Sequence, residues 1–138
     1  MIKKILMLCY QTYLRRKYIS KGVRIGSSTW ISHKAYIDCH MPAKVIIGEN
    51  CFITRNVVIL NHTDTKIGGP KQIWKDLGGD RVYGDVILGN NVFVGVGSVV
   101  MPGVKIGDNA IIGALSVVTR DVPEGKIVAG NPARVIGN

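Results

Sequence analysis

Residues 86–123 read V-I-L-G-N-N-V-F-V-G-V-G-S-V-V-M-P-G-V-K-I-G-D-N-A-I-I-G-A-L-S-V-V-T-R-D-V-P. Leu88, Val94, Val100, Ile106, Ile112 and Val118 recur at every sixth position without a break. An amphipathic helix repeats its apolar face every three to four residues, and a lone strand every two. A strict six fits a short flat strand followed by a tight turn. Three such units, about eighteen residues, close one triangular coil that stacks on the next.

The register extends toward the N-terminus. It returns at Ile47, Ile53 and Ile59 ahead of a long insertion, and at Ile25, Ile31 and Ile37 ahead of a short one. Four residues after each anchor the side chain is small or β-branched, from Thr29 and Ala35 through Ser116 and Val122, with Met41 the exception. Gly26, Gly48, Gly89, Gly95, Gly107 and Gly113 each follow an anchor, which reads as a need for turn conformations that other residues resist. The expected fold is all-β: a parallel β-helix of about four coils, 25–42, 47–64, 88–105 and 106–123, around an aliphatic column. The chain then divides into a basic capping helix (1–24), the β-helix (25–123) with an inserted loop (65–85), and a tail (124–138) turning back over the last coil. Within the first segment, residues 2–18 are expected to be helical, with Ile5, Leu8, Cys9 and Thr12 on the capping side.

The formal charge of +9 is concentrated in this segment: residues 1–24 hold seven of the eighteen Lys and Arg and none of the nine Asp and Glu. Two readings fit, a solvated face on a capping helix or a contact with an anionic membrane surface. Nucleic-acid binding is not expected, because no recognition motif or stacking platform accompanies the charge. Three cysteines without paired spacing exclude a disulfide framework, and the missing C-x-x-C gives no zinc motif. The apolar run at the start is short for a signal peptide and far short of a membrane span, so a cytoplasmic protein is expected, with the inner membrane face as its one candidate association.

Residues 86–136, above all the ending A-G-N-P-A-R-V-I (129–136), resemble the maltose and galactoside O-acetyltransferase group of the hexapeptide-repeat acyltransferases. The resemblance covers residues 25–136 and leaves the N-terminal arm outside. It implies a left-handed coil sense, against the usual right-handed crossover rule. It also implies a homotrimer with active sites between subunits, and acetyl-coenzyme A as co-substrate with no metal. His62, in N-H-T-D (61–64), stands where the family has its catalytic histidine. An imidazole has the near-neutral pKa that suits a base taking the proton of an attacking hydroxyl. Asn61 is a candidate for substrate contact, and Asp64 for orienting the ring. His33 and His40 read as surface or turn residues. Their spacings from each other and from His62, seven and twenty-two, do not match the histidines of the zinc lyases that share this fold.

The resemblance places Val96, Ala114, Thr119, Arg120 and Arg134 along coenzyme A, the two arginines on its phosphates. The chain departs from the family at Phe93, where Trp is common, at Leu115, where Gly is common, and at Gly137, where a basic residue is frequent. In the insertion, Trp74 and Tyr83 are candidates for stacking on a sugar, Trp74 equally for packing on a neighbouring subunit. Lys71, Lys75 and Arg81 suit a charged acceptor. The reaction implied is acetyl transfer to a hydroxyl of a sugar or glycan precursor. N-acetylation of an amino-sugar nucleotide, antibiotic acetylation, a zinc lyase and a non-catalytic β-helix stand as alternatives.

Overall fold

The computed structural model describes residues 2–64 and 81–138. Its strands build a left-handed parallel β-helix. The first face stacks β1 (Arg24–Ile25), β4 (Val45–Ile47), β9 (Val86–Leu88) and β12 (Lys105–Ile106). The second stacks β2 (Trp30–Ile31), β5 (Phe52–Ile53), β10 (Phe93–Val94), β13 (Ile111–Ile112), β15 (Ile127–Ala129) and β16 (Arg134–Gly137). The third stacks β3 (Tyr36–Ile37), β6 (Val58–Ile59), β11 (Val99–Val100) and β14 (Val117–Val118).

Each anchor lies in register with the anchor one coil away: Ile25 with Ile47, Ile53 with Val94, Val100 with Val118. Eleven of the twelve are buried; Ile25, at the open end of the first coil, is half-buried. Burying one such side chain stabilises by about 1.5–3 kcal/mol, so the column dominates the fold's energetics. The residue before each second-face anchor points out, and there Trp30, Phe52 and Phe93 stack ring on ring along the coils.

The structure corrects three expectations. The glycines after the anchors do not take positive φ. They let coils approach: a Cβ on Gly48 would lie 2.5 Å from the Gly89 carbonyl oxygen, and one on Gly26 2.4 Å from that of Gly48. The left-handed turn residue comes two places later, as Asn50, Asn56, Asn91 and Asn109, and as Leu115 with φ 57°.

The second correction concerns α1 (Ile2–Ile19). It does lie at the first coil's open end, but its buried residues are Gln11, Leu14 and Tyr18, while Ile5 and Leu8 are exposed. The reason is polar. Strand β2 is an edge, and Gln11 meets both of its outward groups: Nε2 donates to the Ile31 carbonyl at 3.1 Å, and Oε1 accepts the Ile31 N–H at 3.0 Å. Tyr18 Oη donates to the Ala35 carbonyl at 2.9 Å.

Third, the tail first continues the column. β15 adds in parallel to β13, and only then does β16 fold back antiparallel on β15.

Candidate active site

The second coil leaves the column at Asn61. β7 (His62–Asp64) pairs antiparallel with β8 (Arg81–Tyr83), His62 opposite Tyr83 and Asp64 opposite Arg81. This hairpin stands on the edge between the third and first faces and roots the insertion. In hexad terms His40 and His62 hold the same slot, three residues past Ile37 and Ile59, which are paired. Their rings therefore lie one above the other, centroids 4.3 Å apart.

Between them sits Asp38, its side chain fully buried. Oδ1 accepts Nδ1–H of His40 at 2.5 Å and the Cys39 N–H at 2.9 Å. Oδ2 accepts Nδ1–H of His62 and the Asn61 N–H. Burial by itself would raise the Asp38 carboxyl. The hydrogen bonds from His40, His62 and the Asn61 amide, with the charge of His62, outweigh it and hold the group below its ordinary value. An ionised Asp38 can only accept, so in a neutral ring it selects the Nδ1–H tautomer and leaves Nε2 with the free lone pair.

Asn61 is fully buried beneath this arrangement. Its Nδ2 donates to the carbonyls of His40 at 2.9 Å and Ala43 at 3.0 Å, and its Oδ1 accepts the His40 N–H at 3.3 Å. It ties the two coils together and is turned away from solvent, so the expected substrate contact gives way to a structural one. Among the described residues, the carboxylate bonded to His62 is that of Asp38. The side chain of Asp64, the residue expected to orient the ring, lies outside the described residues, as does that of Arg81. Lys71, Trp74 and Lys75 also lie outside them. Tyr83 is half-buried, its ring centroid 6.0 Å from that of His62. His33 is exposed beside Tyr10. His40, expected as a plain surface or turn residue, is exposed but belongs to the cluster.

Asp38, His40 and His62 bring three ligand-type atoms within 4.8 Å of one another. Ligands on one tetrahedral zinc, with bonds of about 2.0–2.1 Å, stand roughly 3.3 Å apart. A 2.5 Å contact between His40 and Asp38 is a hydrogen bond, so the three form a hydrogen-bonded chain in this arrangement.

The residues expected along coenzyme A fall on two edges. Thr119 and Arg120 are exposed on the same edge as His62, two coils further on, about 10 Å at one strand spacing per coil. Arg134 joins Arg120 at the rim of a cavity of about 150 Å³ whose walls include Val118, Asp121 and Val128. Val96 and Ala114 are exposed on successive coils of another edge, between the second and third faces.

Residues 85–120 match the bacterial transferase hexapeptide family (six repeats). These residues form a hexapeptide-repeat segment of the kind that this family model describes. The chain is similar to a putative acetyltransferase of Bacillus subtilis (strain 168), 34% identical over 127 residues that cover 92% of this chain and 63% of the relative. It is similar to the galactoside O-acetyltransferase of Escherichia coli (strain K12), 31% identical over 81% of this chain and 62% of that one. A solved galactoside acetyltransferase in complex with coenzyme A superposes with a TM-score of 0.68 at 29% identity, over 91% of this chain and 70% of that one. The chain thus spans somewhat over three-fifths of the length of these two curated relatives.

Proposed function

We propose that this protein transfers an acetyl group from acetyl-coenzyme A to a hydroxyl of a sugar or glycan precursor, with His62 as general base. The observation that carries the reading is the Asp38–His62 pair. A buried, ionised carboxylate fixes the imidazole tautomer and leaves Nε2 able to accept a proton. The similarity to acetyltransferases, one of them solved with coenzyme A, supplies the reaction class.

His62 Nε2 takes the hydroxyl proton as the acceptor oxygen attacks the thioester carbonyl. Asp38 stabilises the imidazolium that forms. A C–O bond is made, the C–S bond breaks, and the proton held at Nε2 passes to the departing sulfur, returning His62 to its neutral form. Arg120 and Arg134, which meet at one cavity, bind the cofactor's phosphates. Val96 and Ala114 flank its pantetheine arm. These four residues lie on two edges of one prism, so a single cofactor reaches both sets when the edge of one protomer faces the other edge of its neighbour. That divided site supports a homotrimer with its active sites between subunits. Tyr83, beside His62, frames the acceptor.

Thiol release from acetyl-coenzyme A, measured against a panel of sugars, amino sugars, nucleotide sugars and lipid-linked glycans, tests the proposal. Release that depends on an acceptor hydroxyl is expected. Release with amine acceptors alone, or with none of the panel, overturns it.

A further inference from the structure

The active-site reading leaves α1 unused. Every residue from Ile2 to Tyr10 is exposed, although seven of these nine are apolar or aromatic; Ile5 keeps 55% of its surface and Leu8 70%. The helix's buried residues are Gln11, Leu14 and Tyr18, and Arg15 Nη1 donates to the Gly26 carbonyl at 3.5 Å. Ile2, Ile5, Cys9 and Thr12 follow three- and four-residue steps, so they form one stripe on the side away from the buried residues.

The charge narrows what can cover this surface. Lys3, Lys4, Arg15, Arg16 and Lys17 lie on the same helix with no acidic residue. Lys3 and Lys4 also rim an apolar groove of about 420 Å³ formed with Met7, Leu8, Gln11 and Trp30. A second copy of the helix would bring like charge against like charge. A nucleic acid would satisfy the cations but leave the apolar stripe in water. An anionic lipid surface satisfies both: phosphates meet the Lys and Arg, and the acyl boundary receives the apolar side chains. No helix among the described residues is long and apolar enough to cross a membrane, so α1 lies on the surface.

We propose that α1 seats the protein on an anionic lipid surface, its Ile2–Ile5–Cys9 side entering the boundary between headgroups and acyl chains. The β-helix then stands on the membrane by its first coil. The proposal does not depend on the acetyltransferase reading, since it rests on the helix alone.

Flotation of the full chain with vesicles of phosphatidylglycerol and phosphatidylcholine, against phosphatidylcholine alone, tests it. Two double variants are compared: Lys3→Glu with Lys4→Glu, and Ile2→Ser with Ile5→Ser. All four side chains are exposed, so folding is expected to persist, and circular dichroism and sedimentation check it. The wild type is expected to float with anionic vesicles and at least about tenfold less with neutral ones, and each variant to lose at least about tenfold. Absence of flotation, equal binding to neutral vesicles, or unchanged binding by both variants overturns the proposal. So does a change of oligomer mass in the serine variant, which would show that the stripe packs against another copy.

Discussion

At the residue scale the account turns on one carboxylate serving two imidazoles. His62→Ala is expected to lower kcat by about 10²–10⁴-fold while leaving the thermal midpoint close to wild type, as steady-state kinetics and calorimetry would show. Asp38→Asn removes the acceptor that selects the Nδ1–H tautomers, and is expected to lower kcat with little change in KM. The same substitution carries a pH signature. The Asp38 carboxyl is depressed below its ordinary 3.8 in the folded protein, so its contribution is fully present above that value and is lost as pH falls through the folded pKa. Asp38→Asn is therefore expected to weaken the protein at pH 7 by about 1–3 kcal/mol and to show a smaller deficit at pH 3, read from urea midpoints at the two pH values.

His62 was legible in the sequence because it follows a repeat anchor inside a family motif. Asp38 was not. Its partner lies 24 residues away, and no hexad rule marks the position after an anchor as inward-facing. His40 carried a readable signal. Raw spacing to His62 obscured it, whereas counting each histidine from its own anchor gives three in both cases.

At the element scale, the turns and the cap decide what the repeat leaves open. Leu115 holds a left-handed conformation, with φ 57°, at the slot where other coils place Asn. A branched side chain there costs about 1–2 kcal/mol. Leu115→Asn is expected to stabilise the protein by about 1 kcal/mol, since Asn tolerates that region and the leucine side chain is largely exposed. Chemical denaturation at pH 7 checks this, and no gain would mean that the leucine is held by a contact with a second chain.

Another turn depends on Glu49, whose carboxylate accepts the Ser28 N–H and both serine hydroxyls of Ser27 and Ser28. Those bonds hold its pKa at about 2, so this link weakens only as pH falls from the ordinary carboxylate range toward that value.

The cap shows where pattern reading stopped. Apolar spacing pointed to Ile5 and Leu8 as the buried side. The open coil instead needed a donor and an acceptor for Ile31, which only a side chain such as Gln11 supplies. Hydropathy does not encode that requirement. The glycines after the anchors were legible as positions but not in cause. Their role is the closeness of neighbouring coils, which no local signal reports.

At the scale of the whole molecule the repeat explains both the stability of the column and the division of the site. Because each coil repeats the one below, a residue's hexad slot fixes its edge and its coil number fixes its height. Slot arithmetic thus puts His62, Thr119 and Arg120 on one edge and Val96 with Ala114 on another. In the proposed function a site assembled from these two edges is completed by a neighbouring protomer, and complementation tests this proposal most directly. Homo-oligomers of His62→Ala and of Ala114→Trp should each be inactive in acetyl transfer. Co-expressed in equal amounts, the two chains should recover activity at about a quarter of the interfaces, where an intact His62 edge faces an intact Ala114 edge. Recovery near that level is what the account predicts; a mixture as inactive as its two parents would contradict it.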